Sequence, residues 1–177
     1  MDAYGELVRL RAMGVDDAEA LWRWNHDADV MRWMDEGYAE TVAEVAKWLE
    51  ERPPNAYGDV LFGVEAEGTL IGLVRLHGAE PEAGIADMDI YLGEKDFWGK
   101  GYGTDAVRAV CRYGFHKMRL RKITLTVAAE NEGARHIYGK VGFVEEGRLR
   151  GTFRSADGQW ADKFTMGLFE SELRLTS

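Results

Sequence analysis

The chain has 177 residues, of which 46% are hydrophobic, so it is long enough to bury one core but too short for two ordinary domains. Its formal net charge of −9 argues against nucleic acid as the main partner and fits a cationic one. We therefore expect one domain over residues 1–177. No stretch could span a bilayer and residues 1–11 lack an apolar signal region, so we expect it in the cytoplasm and without a membrane partner.

Two capping patterns predict the starts of the first two helices. Asp16 followed by Glu19 is typical of a capping pair that opens a short helix. Thr41 followed by Glu44 predicts a second helix start. The proline pair at 53–54 must end that second helix, because proline lacks the backbone N–H that a helix interior requires.

Seven segments have the alternation or the β-branched content of strands, and a tight turn at Glu67-Gly68 joins the second to the third as a hairpin. The segments are 6–11, 60–65, 69–76, 86–92, 122–127, 144–152 and 159–169. Helical patterns separate the later strands. This order predicts an α/β (α+β mixed) fold, a mostly antiparallel sheet with helices on both faces, and excludes a purely doubly wound parallel sheet.

A glycine-rich loop lies in residues 97–106, where Phe-Trp-Gly-Lys-Gly-Tyr-Gly-Thr-Asp-Ala carries three glycines at alternate positions. A strand-like run, 88–92, precedes it, and apolar residues at helical spacing follow it from Ala106 to Met118. Strand, glycine loop and helix N-terminus together predict a phosphate site, because the loop amides and the helix dipole point at the same anion. The single cysteine, Cys111, lies on the apolar side of this helix and is expected to be a core residue.

Other interpretations of the glycine loop stay open at this point. Residues 101–106 fit the dinucleotide pattern G-x-G-x-x-A, which would indicate a nicotinamide or flavin enzyme. However, eight residues separate Leu92 from Gly101, and the strand at 122–127 carries no acidic partner for a ribose. No Gly-Lys-Ser/Thr closes the loop as in a nucleoside triphosphate site. A glycine-rich connection without any ligand is the remaining alternative.

A second informative stretch is Asn-Glu-Gly-Ala-Arg-His-Ile-Tyr-Gly-Lys-Val-Gly-Phe at 131–143. Its apolar residues, from Ala134 to Val141, fall on one helix face, and Gly142 is a plausible helix stop. Taken alone, Tyr138 on that face is an ordinary core tyrosine. Its functional meaning depends on whether this stretch and the glycine loop belong to one site.

Together the two stretches resemble the GNAT superfamily of N-acetyltransferases, and most of all its branch of ribosomal-protein N-terminal acetyltransferases and spermidine N-acetyltransferases. Residues 98–103 match Gln/Arg-x-x-Gly-x-Gly/Ala, and residues 131–143 match Asn-x-x-Ala/Ser-x-x-x-Tyr-x-Lys-x-Gly-Phe without a gap. Gly-x-x-x-Asp-x-x-x-Met at 158–166 is a further family-like ending. Trp98 departs from the pattern, because Gln or Arg is usual there. The resemblance implies a GNAT fold with a splayed sheet of six to seven strands.

The resemblance also implies acetyl-coenzyme A as the acetyl donor and no metal. Its pyrophosphate would rest on the glycine loop and its pantetheine arm along the splayed sheet edge, where a backbone N–H would polarise the thioester carbonyl. The residues expected to bind the donor are Ile90, Tyr91, Leu92, Trp98, Gly99, Lys100, Gly101, Tyr102, Gly103, Thr104, Asn131 and Tyr138.

Two side chains are expected to be catalytic. Tyr138 resembles the general acid that protonates the departing thiolate, and a phenol of pKa ~10 and a thiol of ~8.5 are matched closely enough for that transfer. Asp87 falls where the family often has a strand carboxylate that accepts the proton of the amine, directly or through water. Asp89 shares its strand face and is the second choice. Each could equally be a surface aspartate.

The acceptor is expected to be a primary amine, small or carried by a peptide and cationic, that attacks in a ternary complex. The resemblance places its site between residues 25–38 and 153–160. The first segment carries four carboxylates beside aromatic rings, which either hold a cation or form a solvated loop; these are Asp27, Asp29, Asp35 and Glu36. A non-catalytic coenzyme A-binding protein is the main alternative function, although it would not need Tyr138. A homodimer is left open.

Overall fold

A mixed sheet forms the frame of the protein in the computed structural model, which describes residues 3–34, 38–155 and 157–176. Within that part of the chain the sheet has eight strands, β1 (Ala3–Tyr4), β2 (Arg9–Ala12), β3 (Asp59–Ala66), β4 (Thr69–His77), β5 (Ile85–Leu92), β6 (Lys122–Ala128), β7 (Val144–Arg154) and β8 (Trp160–Phe169). The helices are α1 (Ala18–Asn25), α2 (Val42–Glu51), α3 (Tyr102–His116) and α4 (Glu132–Val141).

The strand order is β1-β2-β3-β4-β5-β6-β8-β7, and every neighbouring pair is antiparallel except β5 and β6. The predicted mixed, mostly antiparallel sheet is therefore confirmed. The strand beyond the expected six to seven is β1, whose two residues are too few to show any alternation in the sequence. The hairpin at Glu67-Gly68 is confirmed as well, with φ of 52° and 77°, the double positive φ that a type I′ turn requires.

Helices cover both faces of the sheet, as predicted. Helices α3 and α4 pack their apolar residues against one face, in a core that includes Val107, the fully buried Cys111 and Phe115. Helices α1 and α2 form a second, smaller core on the opposite face around Trp24 and Val45. The open sheet thus separates two chemical environments, and a group placed at its centre can be reached from either side.

The second predicted helix start is confirmed. Thr41 Oγ1 accepts a hydrogen bond from the Glu44 N–H at 3.2 Å, and the Glu44 carboxylate accepts one from the Thr41 N–H at 2.7 Å. Helix α2 then ends at Glu51, before the proline pair at 53–54. Two donors of the first turn are satisfied by this box, so the sequence pattern and the local structure agree.

The capping pair predicted at Asp16 and Glu19 is wrong. A short 3₁₀ turn over 15–17 precedes α1, so the helix begins at Ala18, one residue later than a cap at Asp16 implies. The acidic side chain that acts here is Asp17, which accepts the Gly14 N–H at 3.0 Å and pairs with Arg11 at 2.9 Å. The physical reason is that an ion pair with the preceding strand fixes this junction.

Thr41→Ala is expected to lower the free energy of unfolding by about 1 kcal/mol, because one first-turn N–H of α2 loses its acceptor. For a chain of this length that corresponds to a fall in Tm of about 2–4 °C. Thermal unfolding followed by circular dichroism measures it. Thr41→Ser retains the hydroxyl and serves as the control, and equal losses in the two variants would contradict a capping role.

Candidate active site

The sheet opens between β5 and β6, its only parallel neighbours among the described strands. Their pairing is restricted to Ile85–Asp87 and Lys122–Thr124. Beyond that point β5 stays paired with β4 and β6 stays paired with β8, so the two strands diverge. Residues 88–92 of β5 consequently have one free backbone edge that lines the opening.

The alternation of backbone groups identifies which atoms face the opening. The Gly93 N–H donates to the Ile71 carbonyl of β4 at 2.7 Å. Successive residues of a strand direct their N–H and C=O groups to opposite sides, so those of Leu92 and Ile90 face away from β4 and into the opening. This free edge is what an added strand or an extended ligand arm pairs with. The sequence prediction of a pantetheine edge at 90–92 therefore falls on a suitable element.

The glycine loop ends at the N-terminus of α3. Gly99 and Gly101 have φ of 70° and 90°, values that favour glycine over residues with a Cβ. Gly101 is the N-cap of α3 and, in the described chain, no side chain caps the first turn. The N–H groups at 102–104 are thus available to an anion, and the helix dipole adds to their field. This arrangement fits a pyrophosphate.

A buried carboxylate that sequence analysis missed holds the N-terminal segment against this loop. Asp105, in the first turn of α3, accepts three backbone N–H groups, from Glu6 at 2.9 Å, Leu7 at 2.7 Å and Val8 at 2.9 Å. These three N–H groups satisfy the charge of Asp105, so its carboxylate does not occupy the N–H groups at 102–104. The only sequence signal was an acidic residue near a helix start, which does not indicate a partner 99 residues away.

Trp98 binds the free edge directly. Its Nε1 donates to the Leu92 carbonyl at 2.9 Å, and the side chain is 40% exposed. The departure from the family pattern therefore replaces a polar side chain with an indole that occupies one acceptor of the opening. Further along the loop, Lys100 is exposed, and Tyr102 donates a hydrogen bond to Glu67, which raises the pKa of that phenol.

Tyr138 is placed by α4 on the α3/α4 face of the sheet. It is 9% exposed, and its ring meets that of Phe143 edge-to-face, with centroids 5.8 Å apart. Burial raises the pKa of the Tyr138 hydroxyl, and the negative charge of Asp89 raises it further. The phenol is therefore neutral and carries its proton at neutral pH. Asn131, expected at the pantetheine, caps α4 by accepting the Ala134 N–H at 3.1 Å.

The two β5 carboxylates point to the other face of the sheet. Asp87 lies at the last position paired with β6 and accepts a hydrogen bond from the Thr124 hydroxyl. Asp89 lies beyond that position, where the strands have parted, and its Oδ2 is 2.8 Å from Nε2 of His77. Both are exposed. Strand alternation places Tyr91 on this face as well.

The acidic segment after α1 is less free than the sequence suggested. Lys95 Nζ lies 2.8 Å from a carboxylate oxygen of Asp27 and 2.8 Å from one of Asp29, so these two charges are paired. The predicted carboxylates at 35 and 36 lie outside the described residues. Trp33 meets Phe153 of β7 at 6.3 Å between ring centroids, which brings the two predicted acceptor walls into contact.

A cavity of about 230 Å³ lies between α1, α2 and the sheet, on the face that carries Asp89. Its polar groups form a chain in which the Tyr91 hydroxyl donates to Asn25 Oδ1 at 2.9 Å and Asn25 Nδ2 donates to Glu40 Oε1 at 2.9 Å. Burial, followed by the charge of Glu40, raises the pKa of the Tyr91 phenol. The cavity is lined by Leu21, Asn25, Glu40, Val45, Trp48, Leu73 and Tyr91. Sequence analysis missed Glu40, which lies two residues beyond the segment singled out.

Two further observations concern the described residues as a set. No three side chains of the metal-binding types His, Cys, Asp and Glu come together there in a way that could hold a metal ion. The helices of the described chain are also all too short or too polar to cross a membrane.

Comparisons with known proteins agree with this geometry. The family model of the acetyltransferase (GNAT) domain matches residues 8–144. The spermidine N(1)-acetyltransferase of Escherichia coli K12 is 32% identical over 166 residues, which cover 93% of this chain and 87% of that protein. YdaF of Bacillus subtilis strain 168, whose name assigns it to the ribosomal N-acetyltransferases, is 30% identical over 146 residues, 80% of this chain and 74% of that protein.

A solved structure shows the same architecture with ligands. The crystal structure of spermidine N-acetyltransferase from Vibrio cholerae, in complex with CoA and spermine, has a TM-score of 0.82 at 28% identity and covers 94% of this chain and 97% of that chain. The predicted resemblance is thereby confirmed. The opening between β5 and β6, the uncapped α3 N-terminus and the family match lead to one conclusion: this chain belongs to the GNAT acetyltransferase family and is an N-acetyltransferase.

Proposed function

We propose that this protein transfers the acetyl group of acetyl-coenzyme A to a primary amine, which attacks the thioester directly in a ternary complex. It does so as a single domain in the cytoplasm. The observation that carries the proposal is that a possible proton donor and possible proton acceptors lie on opposite faces of the sheet at its opening. A neutral phenol, Tyr138, lies on one face, and ionisable carboxylates, Asp87 and Asp89, lie on the other.

The donor would be held by backbone groups for most of its length. Its pyrophosphate fits the uncapped N–H groups at 102–104, which follow two glycines, Gly99 and Gly101, whose positive φ admits a ligand close to the main chain. The pantetheine arm would run along the free edge of β5, next to Ile90 and Leu92. An edge N–H aimed into the opening would stabilise negative charge that develops on the thioester oxygen.

The residues of this chain then move two protons. A carboxylate on the α1/α2 face, with Asp87 as the choice from sequence, accepts a proton from the substrate ammonium. Tyr138 on the α3/α4 face gives its proton to the departing thiolate. Deprotonating an alkyl ammonium of pKa ~10.4 at pH 7 costs roughly 4.6 kcal/mol, against about 1.4 for an α-amine of ~8, so the base matters most for polyamine acceptors.

A polyamine is the acceptor class that we favour, over another small amine or a protein N-terminus. The cavity beneath α1 and α2 offers the Glu40 carboxylate beside the rings of Trp48 and Tyr91, an arrangement suited to an alkyl ammonium group. The net charge of −9 also favours a cationic substrate. The names of the relatives, which include spermidine acetyltransferases, point to the same class.

Calorimetry followed by an assay of released thiol tests the proposal. Acetyl-coenzyme A is expected to bind and NAD is not. Thiol release should then depend on an added amine, with spermidine, a simple diamine and a peptide with a free N-terminus as the three acceptor classes. Binding of acetyl-coenzyme A without release by any of them would favour the non-catalytic alternative. A preference for the peptide would leave the enzyme class intact but reject the polyamine.

Glu40→Gln is expected to raise KM for a polyamine by about tenfold with kcat nearly unchanged, because one ion pair at a half-buried position contributes on the order of 1–2 kcal/mol. The difference from the wild type should shrink as salt rises. Glu50→Gln removes the same charge from an exposed position on α2 and is the matched control. If both variants raise KM equally, the cavity does not hold the cation.

A further inference from the structure

We propose that His77 and Asp89 act together as the proton acceptor of the amine site, with Asp89 taking the proton from the substrate ammonium and His77 positioning that carboxylate and passing the proton to solvent. This inference rests on the proposed function and specifies which side chains serve the acceptor half of the reaction. It also differs from the choice made from sequence, which places Asp87 first.

The pair is formed across two strands. His77 is the last residue of β4, and its register partner on β5 is Asp87, whereas Asp89 is opposite Arg75. His77 therefore reaches diagonally along the sheet to Asp89, with Nε2 and Oδ2 separated by 2.8 Å. The two side chains are 33% and 54% exposed, so the carboxylate is open to a substrate and the imidazole is in contact with water.

Asp89 is better placed than Asp87 with respect to the general acid. Its charge contributes to the raised pKa of Tyr138, although the two side chains belong to opposite faces of the sheet. The opening permits this, because β5 and β6 have parted before residue 89 and no closed sheet lies between them. Asp87 sits where the strands are still paired, and its carboxylate is already engaged by Thr124.

The charged surroundings of His77 favour its role as the partner of Asp89. Arg75, the cation two residues earlier on the same strand face, makes two hydrogen bonds of 2.7 Å to Asp59 and is thereby occupied. An imidazole is the side chain that ordinarily changes charge between pH 5 and 8, as a relay requires. The charged groups that face His77 from its own strand, from β3, from β5 and from the end of α2 are Arg75, Asp59, Asp87, Asp89 and Arg52.

The proton balance is complete with these groups. The substrate ammonium carries three N–H protons, and the amide product keeps one. The first to leave goes to Asp89 and through His77 to water, after which the free amine forms the N–C bond as the C–S bond breaks. Tyr138 donates its proton to the departing sulfur. The second proton lost by the nitrogen restores the phenol, so both residues return to their starting states.

A pH profile of kcat/KM for the best amine distinguishes this role from a structural one. At pH 7, His77→Asn and Asp89→Asn are each expected to lose about 10–10²-fold, because only the small free-amine fraction of the substrate reacts without a base. The deficit in kcat/KM should shrink by about tenfold for each pH unit as the pH rises towards the pKa of the amine, ~10.4. Affinity for acetyl-coenzyme A should stay at the wild-type value.

The chain offers a matched control in His116, at the C-terminal end of α3, which pairs with Glu170 at 3.2 Å. His116→Asn removes a similar His–carboxylate pair and should leave the profile unchanged. A loss in His77→Asn that is the same at every pH would overturn the proposal, as would recovery with pH in Asp87→Asn but not in Asp89→Asn. A wild-type protein that acetylates no amine would instead reject the proposed function itself.

Discussion

Tyr138→Phe is expected to lower kcat by about 10²–10⁴-fold while the affinity for acetyl-coenzyme A is nearly retained. The substitution keeps the ring, which packs against Phe143 in the core of the α3/α4 face, and removes only the hydroxyl. The thiolate would then leave without a proton donor. Because burial and the charge of Asp89 raise the pKa of Tyr138 above its ordinary value of 10.0, we expect no loss of wild-type rate from phenol ionisation up to about that pH.

Steady-state kinetics together with calorimetry separate kcat from donor binding. Tyr113→Phe is the control, because Tyr113 also packs edge-to-face against a phenylalanine, Phe62 at 5.0 Å, but lies on α3 away from the opening. It should retain wild-type turnover. If Tyr138→Phe behaves in the same way, the hydroxyl has no catalytic part and Tyr138 is a packing residue only.

Gly103→Val is expected to weaken binding of acetyl-coenzyme A by at least about 100-fold, because two charge-assisted hydrogen bonds of roughly 1.5 kcal/mol each are lost when a side chain enters the phosphate seat. The fold should persist. A Cβ at this helical position would lie 3.6 Å from Ile137 and 3.7 Å from Leu92, which are ordinary contacts. Isothermal calorimetry measures the affinity, and circular dichroism checks the fold.

Two companion variants sharpen this test. Gly101→Val should also weaken binding strongly, but it places a β-branched residue at φ of 90° and is expected to lower Tm as well. Gly14→Val adds the same side chain at an exposed glycine with open space around it, outside the glycine loop, and should bind normally. Undiminished affinity in Gly103→Val would place the pyrophosphate elsewhere.

Local signals account for what the sequence predicted correctly. The Thr41–Glu44 box, the Glu67-Gly68 hairpin and the α3 start after the glycine loop each depend on residues a few positions apart. The position of Tyr138 on the buried face of α4 was predicted from helical spacing within one short stretch, whereas its catalytic role stays a prediction. In each case the information that determines the structure lies within one or two turns of chain.

Long-range pairing accounts for what could not be predicted. The His77–Asp89 contact depends on the register between β4 and β5, which alternation alone does not fix. Glu40 becomes part of a cavity only because α2 packs over the sheet. The failure at Asp16 has the same origin, since an ion pair from β2 to the next residue replaces the expected cap.

The hydrogen bonds from residues 6–8 to the Asp105 carboxylate affect how the molecule folds. Those three hydrogen bonds span 97 to 99 positions, so the N–H groups of residues 6–8 reach their native acceptor only once α3 has formed. Contacts of such sequence separation slow folding. Until they form, the N–H groups of residues 6–8 lack their acceptor, and unpaired backbone in a partly folded chain is exposed to pairing with other chains. Anchoring of residues 6–8 and formation of the first turn of α3, next to the glycine loop, are therefore coupled steps of folding.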